Sequence, residues 1–215
     1  MPESDNLKVS IHQPNFLPHR AYFEKIRESD LFVFLDCVQF EKNGFVNRNR
    51  VRSSRDWQWL TVPVVNQDLT HSLIKDVLVS GASDWRKTHW RTLQCVYGKA
   101  PGFRKYRELF EETYREEWVT LSDLNEHLVK GICQILNIHT KMMDASSLNP
   151  VGARTELLID ICRRVGADTY LSGPSGRNYL ELDKFRDAGI RVEFQGQEHG
   201  DTVNLSIVDD LFRGV

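Results

Sequence analysis

Long hydrophobic runs are missing from this sequence. No stretch of about 18 apolar residues occurs and no apolar segment follows the start, so neither a membrane-spanning helix nor a secretory leader is expected. A charge excess of one sign is missing too. Lys and Arg number 28 against 30 Asp and Glu, a net charge of −2, so no overall field draws the chain to nucleic acid or to a membrane surface. Cysteine is scarce: Cys37, Cys95, Cys133 and Cys162 lie far apart and never form a CxxC pair. They read as small buried hydrophobes in a reducing compartment, which makes a soluble cytoplasmic protein the expectation. Also absent are a nucleophile elbow, a Walker loop and a GxGxxG turn. Internal repeats and low-complexity segments are not apparent. At 215 residues the chain has the mass of one α/β domain or somewhat more, enough to bury a full core.

What is present concentrates in residues 8–52. Residues 9–12 read as a buried strand, followed by a proline-bracketed loop over 13–18. A helix is expected over 19–28, with Tyr22, Phe23 and Ile26 on one face, as helical periodicity requires. The apolar run Leu31-Phe32-Val33-Phe34-Leu35 then reads as a strand covered on both faces. A strand–loop–helix–strand unit of this kind makes a parallel pair. Ligands of open α/β sheets bind at the carboxyl ends of such strands. Those ends carry His12, Gln13, Asn15 and His19 after the first strand, and Asp36, Gln39 and Lys42 after the second. Asn47, Arg48, Asn49 and Arg50 follow closely.

Further along, residues 57–65 read as a strand and 75–79 as a short one. Helices are expected over 84–97, 103–115 and from Leu121 to Leu136, the last opened by a Thr120/Asp123 capping arrangement. A loose strand or loop over 141–147 precedes a helix carrying Leu157, Leu158, Ile161 and Val165, stopped by Gly166. Thr169 to Ser172 read as a strand. The loop Gly173-Pro174-Ser175-Gly176-Arg177 then leads into a helix expected from about Asn178. Small residues and an arginine at a helix start can hold an anion, although a bare glycine turn has the same appearance. Residues 190–195 alternate as a half-exposed strand does. The fold class is therefore α/β, a Rossmann-like, mainly parallel sheet with a helical insertion. Its parts are an N-terminal α/β unit over 1–80, a helical block over 84–140, and a C-terminal part over 141–215 completing the same domain.

The segments HQPNFLPHRAYFEKI, DLFVFLDCVQFEKNGFVNRNRV, WLTVPV, YGKAPGF, TELLIDICRRVGADTYLSGPSGRNYL, IRVEFQ and NLSIVDDL together resemble the WbqC-like protein family along nearly the whole chain. That family is associated with bacterial O-antigen and surface-polysaccharide gene clusters, so the resemblance implies a sugar-related task. The N-terminal unit also resembles the start of HIGH-type nucleotidyltransferases such as pantothenate synthetase, in which a strand ends in a His-x-Gly-His turn that holds ATP phosphates. His19-Arg20-Ala21-Tyr22 sits where that turn would be, with alanine in place of its glycine and tyrosine in place of its second histidine. Gln39-Phe40 matches a Gln-Phe pair after the second strand, and residues 172–180 resemble a later phosphate-binding loop of pantothenate synthetase. The resemblance makes ATP or another nucleotide the candidate cofactor.

The functional expectation is an enzyme of O-antigen or surface-polysaccharide biosynthesis. It would be a transferase or amide-forming ligase that modifies a nucleotide-linked amino sugar by attaching an amino-acid or acyl group. The alternative is a non-catalytic nucleotide-sugar or glycan-binding accessory protein. His12, His19 and Lys42 are the candidate catalytic residues. Gln13, Asn15, Asp36, Gln39, Asn47, Arg48, Asn49 and Arg50 are candidates for substrate, and Ser172, Gly173, Ser175, Gly176 and Arg177 for phosphate. Of these, His12, Gln13, Asn15, His19, Gln39, Lys42, Asn47, Arg48, Asn49 and Arg177 are expected to line one pocket. Each has a bland reading as well, since a histidine at a strand end is often a satisfied core residue and Asp36 is also a plain turn residue. His71, His89, His127 and His139 have no paired ligands and receive no role. His199 with Glu198 and Asp201 lacks zinc-site spacing. The expected partner is a small-molecule sugar or nucleotide sugar, with no membrane insertion and the oligomeric state open. Nucleic acid is disfavoured. Arg48, Arg50, Arg52 and Arg55 form a basic cluster, but the sequence shows no aromatic interleaving of the kind a stacking platform uses.

Overall fold

The computed structural model of the chain describes residues 6–65, 71–196 and 205–214. In chain order the first elements are β1 (Lys8–His12), α1 (Arg20–Arg27), β2 (Leu31–Phe34), β3 (Arg48–Arg52) and β4 (Trp57–Thr61). Three helices follow, α2 (Trp85–Tyr97), α3 (Phe103–Arg115) and α4 (Leu121–Ile135). The chain then runs through β5 (Lys141–Asp144), α5 (Thr155–Val165), β6 (Thr169–Ser172), α6 (Leu182–Asp187), β7 (Arg191–Phe194) and α7 (Ile207–Arg213). Two compact units share these elements. The described part of the first covers 6–13, 21–36 and 138–196; that of the second covers 14–20, 37–65, 71–137 and 205–214. Residues 37–65 thus fall in the same unit as the three helices α2, α3 and α4.

The first unit is a five-stranded, all-parallel sheet in the order β5-β2-β1-β6-β7. Counted within the sheet this is 3-2-1-4-5, the Rossmann-like order, which reverses direction between β1 and β6. The apolar run of β2 has Phe32, Val33 and Phe34 fully buried, as a strand flanked by β1 and β5 should. Tyr22, Phe23 and Ile26 of α1 are buried, and the Tyr22 ring lies 5.4 Å from that of Phe32. The helix α5 ends where Gly166 takes φ 72°, a left-handed turn that glycine enters without steric cost. Tyr170 stacks on Phe185 at 5.3 Å. The connection from β2 to β5 carries the inserted helices, since the chain leaves the first unit after Asp36 and re-enters it at Ile138.

The second unit pairs β3 and β4 as an antiparallel hairpin and builds its core from helices. Phe212 of α7 lies 5.0 Å from the rings of both Phe103 and Phe110, and Leu121, Leu124, Leu128 and Ile132 of α4 are fully buried. Thr120 caps α4 by accepting from the Asp123 amide, as the capping signature requires. Asp209 of α7 accepts two bonds of 2.9 Å from Arg52 and one of 3.0 Å from the Tyr97 hydroxyl. Burial alone would raise the Asp209 pKa, but these donors hold it below the ordinary value.

Three local expectations are corrected. Residues 75–79 do not form a strand; a 3-10 turn, Ile74–Asp76, stands there, followed by isolated bridges at Leu78 and Val79. The strand expected over 57–65 ends at Thr61, just ahead of Val62 and Pro63. No α-helix starts near Asn178: Pro174–Asn178 is a 3-10 turn and α6 begins at Leu182.

Candidate functional site

The carboxyl edge of the parallel sheet brings together part of the expected set. His12 pairs with Phe34 of β2, and Ser10 pairs with Leu171 of β6. Carrying that register two residues on puts Gly173 level with His12, at the point where the strand order reverses. The His12 Nδ1 lies 3.1 Å from the Gln13 carbonyl, which also accepts the Tyr22 hydroxyl at 3.0 Å. The Tyr22 ring meets His12 edge-on at 4.8 Å. A His12 tautomer protonated on Nδ1 would donate to that carbonyl and carry its lone pair on Nε2.

On β6, Ser172 is buried and its hydroxyl donates to the Gly173 carbonyl at 3.1 Å. A side chain on Gly176 would strike the Ser172 oxygen, while one on Gly173 would meet nothing within 4 Å. Gly176 therefore serves packing, whereas Gly173 leaves open space beside the strand end. Ser175 and Arg177 are exposed, and the Arg177 guanidinium lies 4.2 Å over the Phe194 ring. A five-residue 3-10 turn supplies little of a helix dipole, so an anion held here would rest mainly on Arg177. Asp36 stands at the same edge, but its carboxylate is buried and spent. It accepts the Ser146 amide at 2.8 Å and the Ser146 hydroxyl. Asp36 thus fixes the turn after β5.

The remaining candidates lie in the second unit. Asn15 and His19 are half-buried in the loop over 14–20, Gln39 is exposed beside its bridge to Leu73, and Lys42 is exposed in a turn. Asn47 and Asn49 face inward. Asn49 is 2% exposed and donates to the Phe16 and Leu17 carbonyls at 3.2 and 2.9 Å. Asn47 donates to Val62 at 3.1 Å. Asn125, which the sequence did not single out, donates at 2.7 Å to both the Pro14 and Val46 carbonyls. Asn49 and Asn125 clamp the proline-bracketed loop, where buried Leu17 is held at φ 43°, a conformation costly for a non-glycine residue. Asn47 and Asn49 thus each have backbone partners within the second unit. The sequence could not show this, because a polar residue beside arginines looks the same in a ligand site and in a loop clamp.

Arg48 and Arg50 do face outward, among aromatic rings the sequence reading passed over. The Arg48 guanidinium lies 4.2 Å from the Trp59 ring; that of Arg50 lies 5.3 Å from Trp57, 5.5 Å from Trp59 and 5.8 Å from Phe45. Lys25 was also missed. It is 4% exposed beneath β1, and burial lowers its pKa from 10.5 to about 7. His89 is a core histidine whose pKa burial lowers to about 4.

Two cavities lie away from all these residues. One of about 510 Å³, lined by Asn6, Asp168, Arg186 and Arg191, sits at the amino ends of β6 and β7. Another of about 460 Å³ is lined by Arg86, Trp90, Glu111 and Tyr114 in the helical unit. Among the described residues, no group of three His, Cys, Asp or Glu is placed to hold a metal, and no helix is long and apolar enough to cross a membrane. Glu198, His199 and Asp201 lie outside the described residues.

No solved structure matches the chain. A protein of Mycobacterium tuberculosis (strain ATCC 25618 / H37Rv), the uncharacterized protein Rv1507c, is 38% identical over 186 residues, covering 86% of this chain and 80% of that protein. The model of the WbqC-like protein family matches residues 13–213, and the chain belongs to that family.

Proposed function

We propose that the chain is an enzyme of surface-polysaccharide biosynthesis that joins an amino-acid or acyl group to a nucleotide-linked amino sugar, with ATP or another nucleotide activating the carboxyl group. The observation that carries this reading is the reversal of strand order between β1 and β6. His12 stands at one of those strand ends, and open Gly173 followed by exposed Arg177 stands at the other. Open α/β sheets bind ligands at that point. Without a nucleophile identified at this edge, the carboxyl group in this reading arrives activated or is activated there. In the ATP version, a carboxylate oxygen attacks the α-phosphorus and pyrophosphate leaves. The sugar amine then attacks the acyl carbon, the acyl–oxygen bond breaks, and AMP departs with the bonding pair. The proton lost by the amine passes to His12 Nε2. Arg177 offers parallel N–H groups to the phosphates, which a planar guanidinium matches well.

The test is to incubate the protein with mixed nucleotide amino sugars, amino acids and ATP, and to search for new masses. The expected product has the mass of sugar plus amino acid less water, depends on ATP, and falls about 100-fold or more with His12→Ala, the scale on which general bases act. Saturable binding of nucleotide sugars without any product would contradict catalysis and leave the accessory-protein reading.

A further inference from the structure

The hairpin separates its side chains cleanly. Asn49, Val51 and Leu60 are buried on one face, and Arg48, Arg50 and Arg52 of β3 share the other face with Trp57 and Trp59 of β4. The register sets Arg50 opposite Trp59 and Arg52 opposite Trp57. Arg52 is neutralised by Asp209. Arg48 and Arg50 are not: among the described residues neither lies within ion-pair distance of a carboxylate, and the buried Nε of each has no hydrogen-bond partner. Arg48 donates only to the neutral Asn43 carbonyl, at 2.5 Å. Both guanidinium groups converge on the Trp59 ring, at 4.2 and 5.5 Å. That ring is 36% exposed and Phe45, 6.1 Å away, is 42% exposed.

Two convergent cations with no counterion among the described residues, beside two exposed aromatic residues, match a compact ligand that is both dianionic and aromatic. An arginine stacked on a ring has one face covered while its N–H edge stays available to a phosphate. We propose that this face by itself binds a nucleoside diphosphate group such as a nucleotide sugar carries, with the diphosphate on Arg48 and Arg50 and the base on Trp59 and Phe45. The proposal deepens the nucleotide-sugar reading and rests on it. A neutral glycan has no use for two bare cations. A single-stranded nucleic acid needs a longer basic track than this face offers with Arg52 already neutralised.

Calorimetric titration of the full chain with UDP, dTDP and GDP tests it, with uridine, inorganic pyrophosphate and a thymidine dodecamer for comparison. At least one nucleoside diphosphate should bind saturably and more tightly than uridine or pyrophosphate. Arg50→Gln, Trp59→Leu and Phe45→Ser, all outward-facing, should each weaken it about tenfold, the effect of one lost charge-assisted bond or stacking contact. Unchanged affinity in all three variants overturns the hairpin site while leaving the nucleotide-sugar reading intact. Binding of none of the diphosphates, nor of their sugar-linked forms, by the wild type overturns both. Pyrophosphate as tight as the nucleotides removes the aromatic half. Tighter binding of the dodecamer, falling steeply with salt, assigns the face to nucleic acid instead.

Discussion

Lys25 sits where a lysine is costly. Its amine lies 3.4 Å from the Ile11 carbonyl, and burial lowers its pKa from 10.5 to about 7. Below pH 7 the folded state carries the whole cost of a buried cation. Between pH 7 and 10.5 the unfolded chain binds more protons here than the folded one, so stability rises with pH and the cost vanishes near 10.5. Lys25→Met, which keeps the length without the charge, should be more stable than wild type by a few kcal/mol at pH 7. That gap should close as pH approaches 10.5. Urea midpoints measured from pH 6 to 10 check this; parallel profiles for the two proteins would contradict it. The position was hard to read from the sequence. Lys25 sits three residues after Tyr22 and one before Ile26, and on an amphipathic helix a lysine at the edge of the apolar stripe normally reaches out to water.

At the scale of elements, the asparagine clamps separate a ligand site from a scaffold. If Asn49 held substrate, its removal would leave stability nearly unchanged. Since its amide serves the buried Phe16 and Leu17 carbonyls, Asn49→Ala should cost about 2–4 kcal/mol, from stranding two acceptors. Asn125→Ala strands the Pro14 and Val46 carbonyls and should cost a similar amount. Both are read from denaturant midpoints, and a change below about 0.5 kcal/mol, the range of ordinary surface substitutions, would return Asn49 to the candidate ligands. The hairpin itself was illegible for a related reason. Arg48-Asn49-Arg50-Val51-Arg52 alternates, yet one of its two buried positions is polar, so it does not read as a strand. Its rings come from β4, and interleaving across a register cannot be seen along a chain. By contrast β2, Leu31–Phe34, could be read directly, because a strand buried on both faces leaves an uninterrupted apolar run. The capping Thr120 and terminating Gly166 marked their helix ends in the same direct way.

For the whole molecule, the parallel sheet and its strand-end histidine followed from the sequence, whereas the grouping of residues into units did not. The second unit draws on three separate stretches of chain, and no composition shift marks where they begin. The central claim is that the β1/β6 edge takes a nucleotide through Arg177. It is tested most directly by the ATP-dependent melting shift of wild type and Arg177→Ala. At about 100 times the dissociation constant ATP should stabilise wild type by about 2.7 kcal/mol, a rise of roughly 5–10 °C for a chain of this size. Arg177→Ala, exposed and outside the core, should melt with wild type when ATP is absent. A tenfold weaker site should show about half the shift or less at the same ATP concentration. Equal shifts in the two proteins, or no shift in wild type, would contradict the claim.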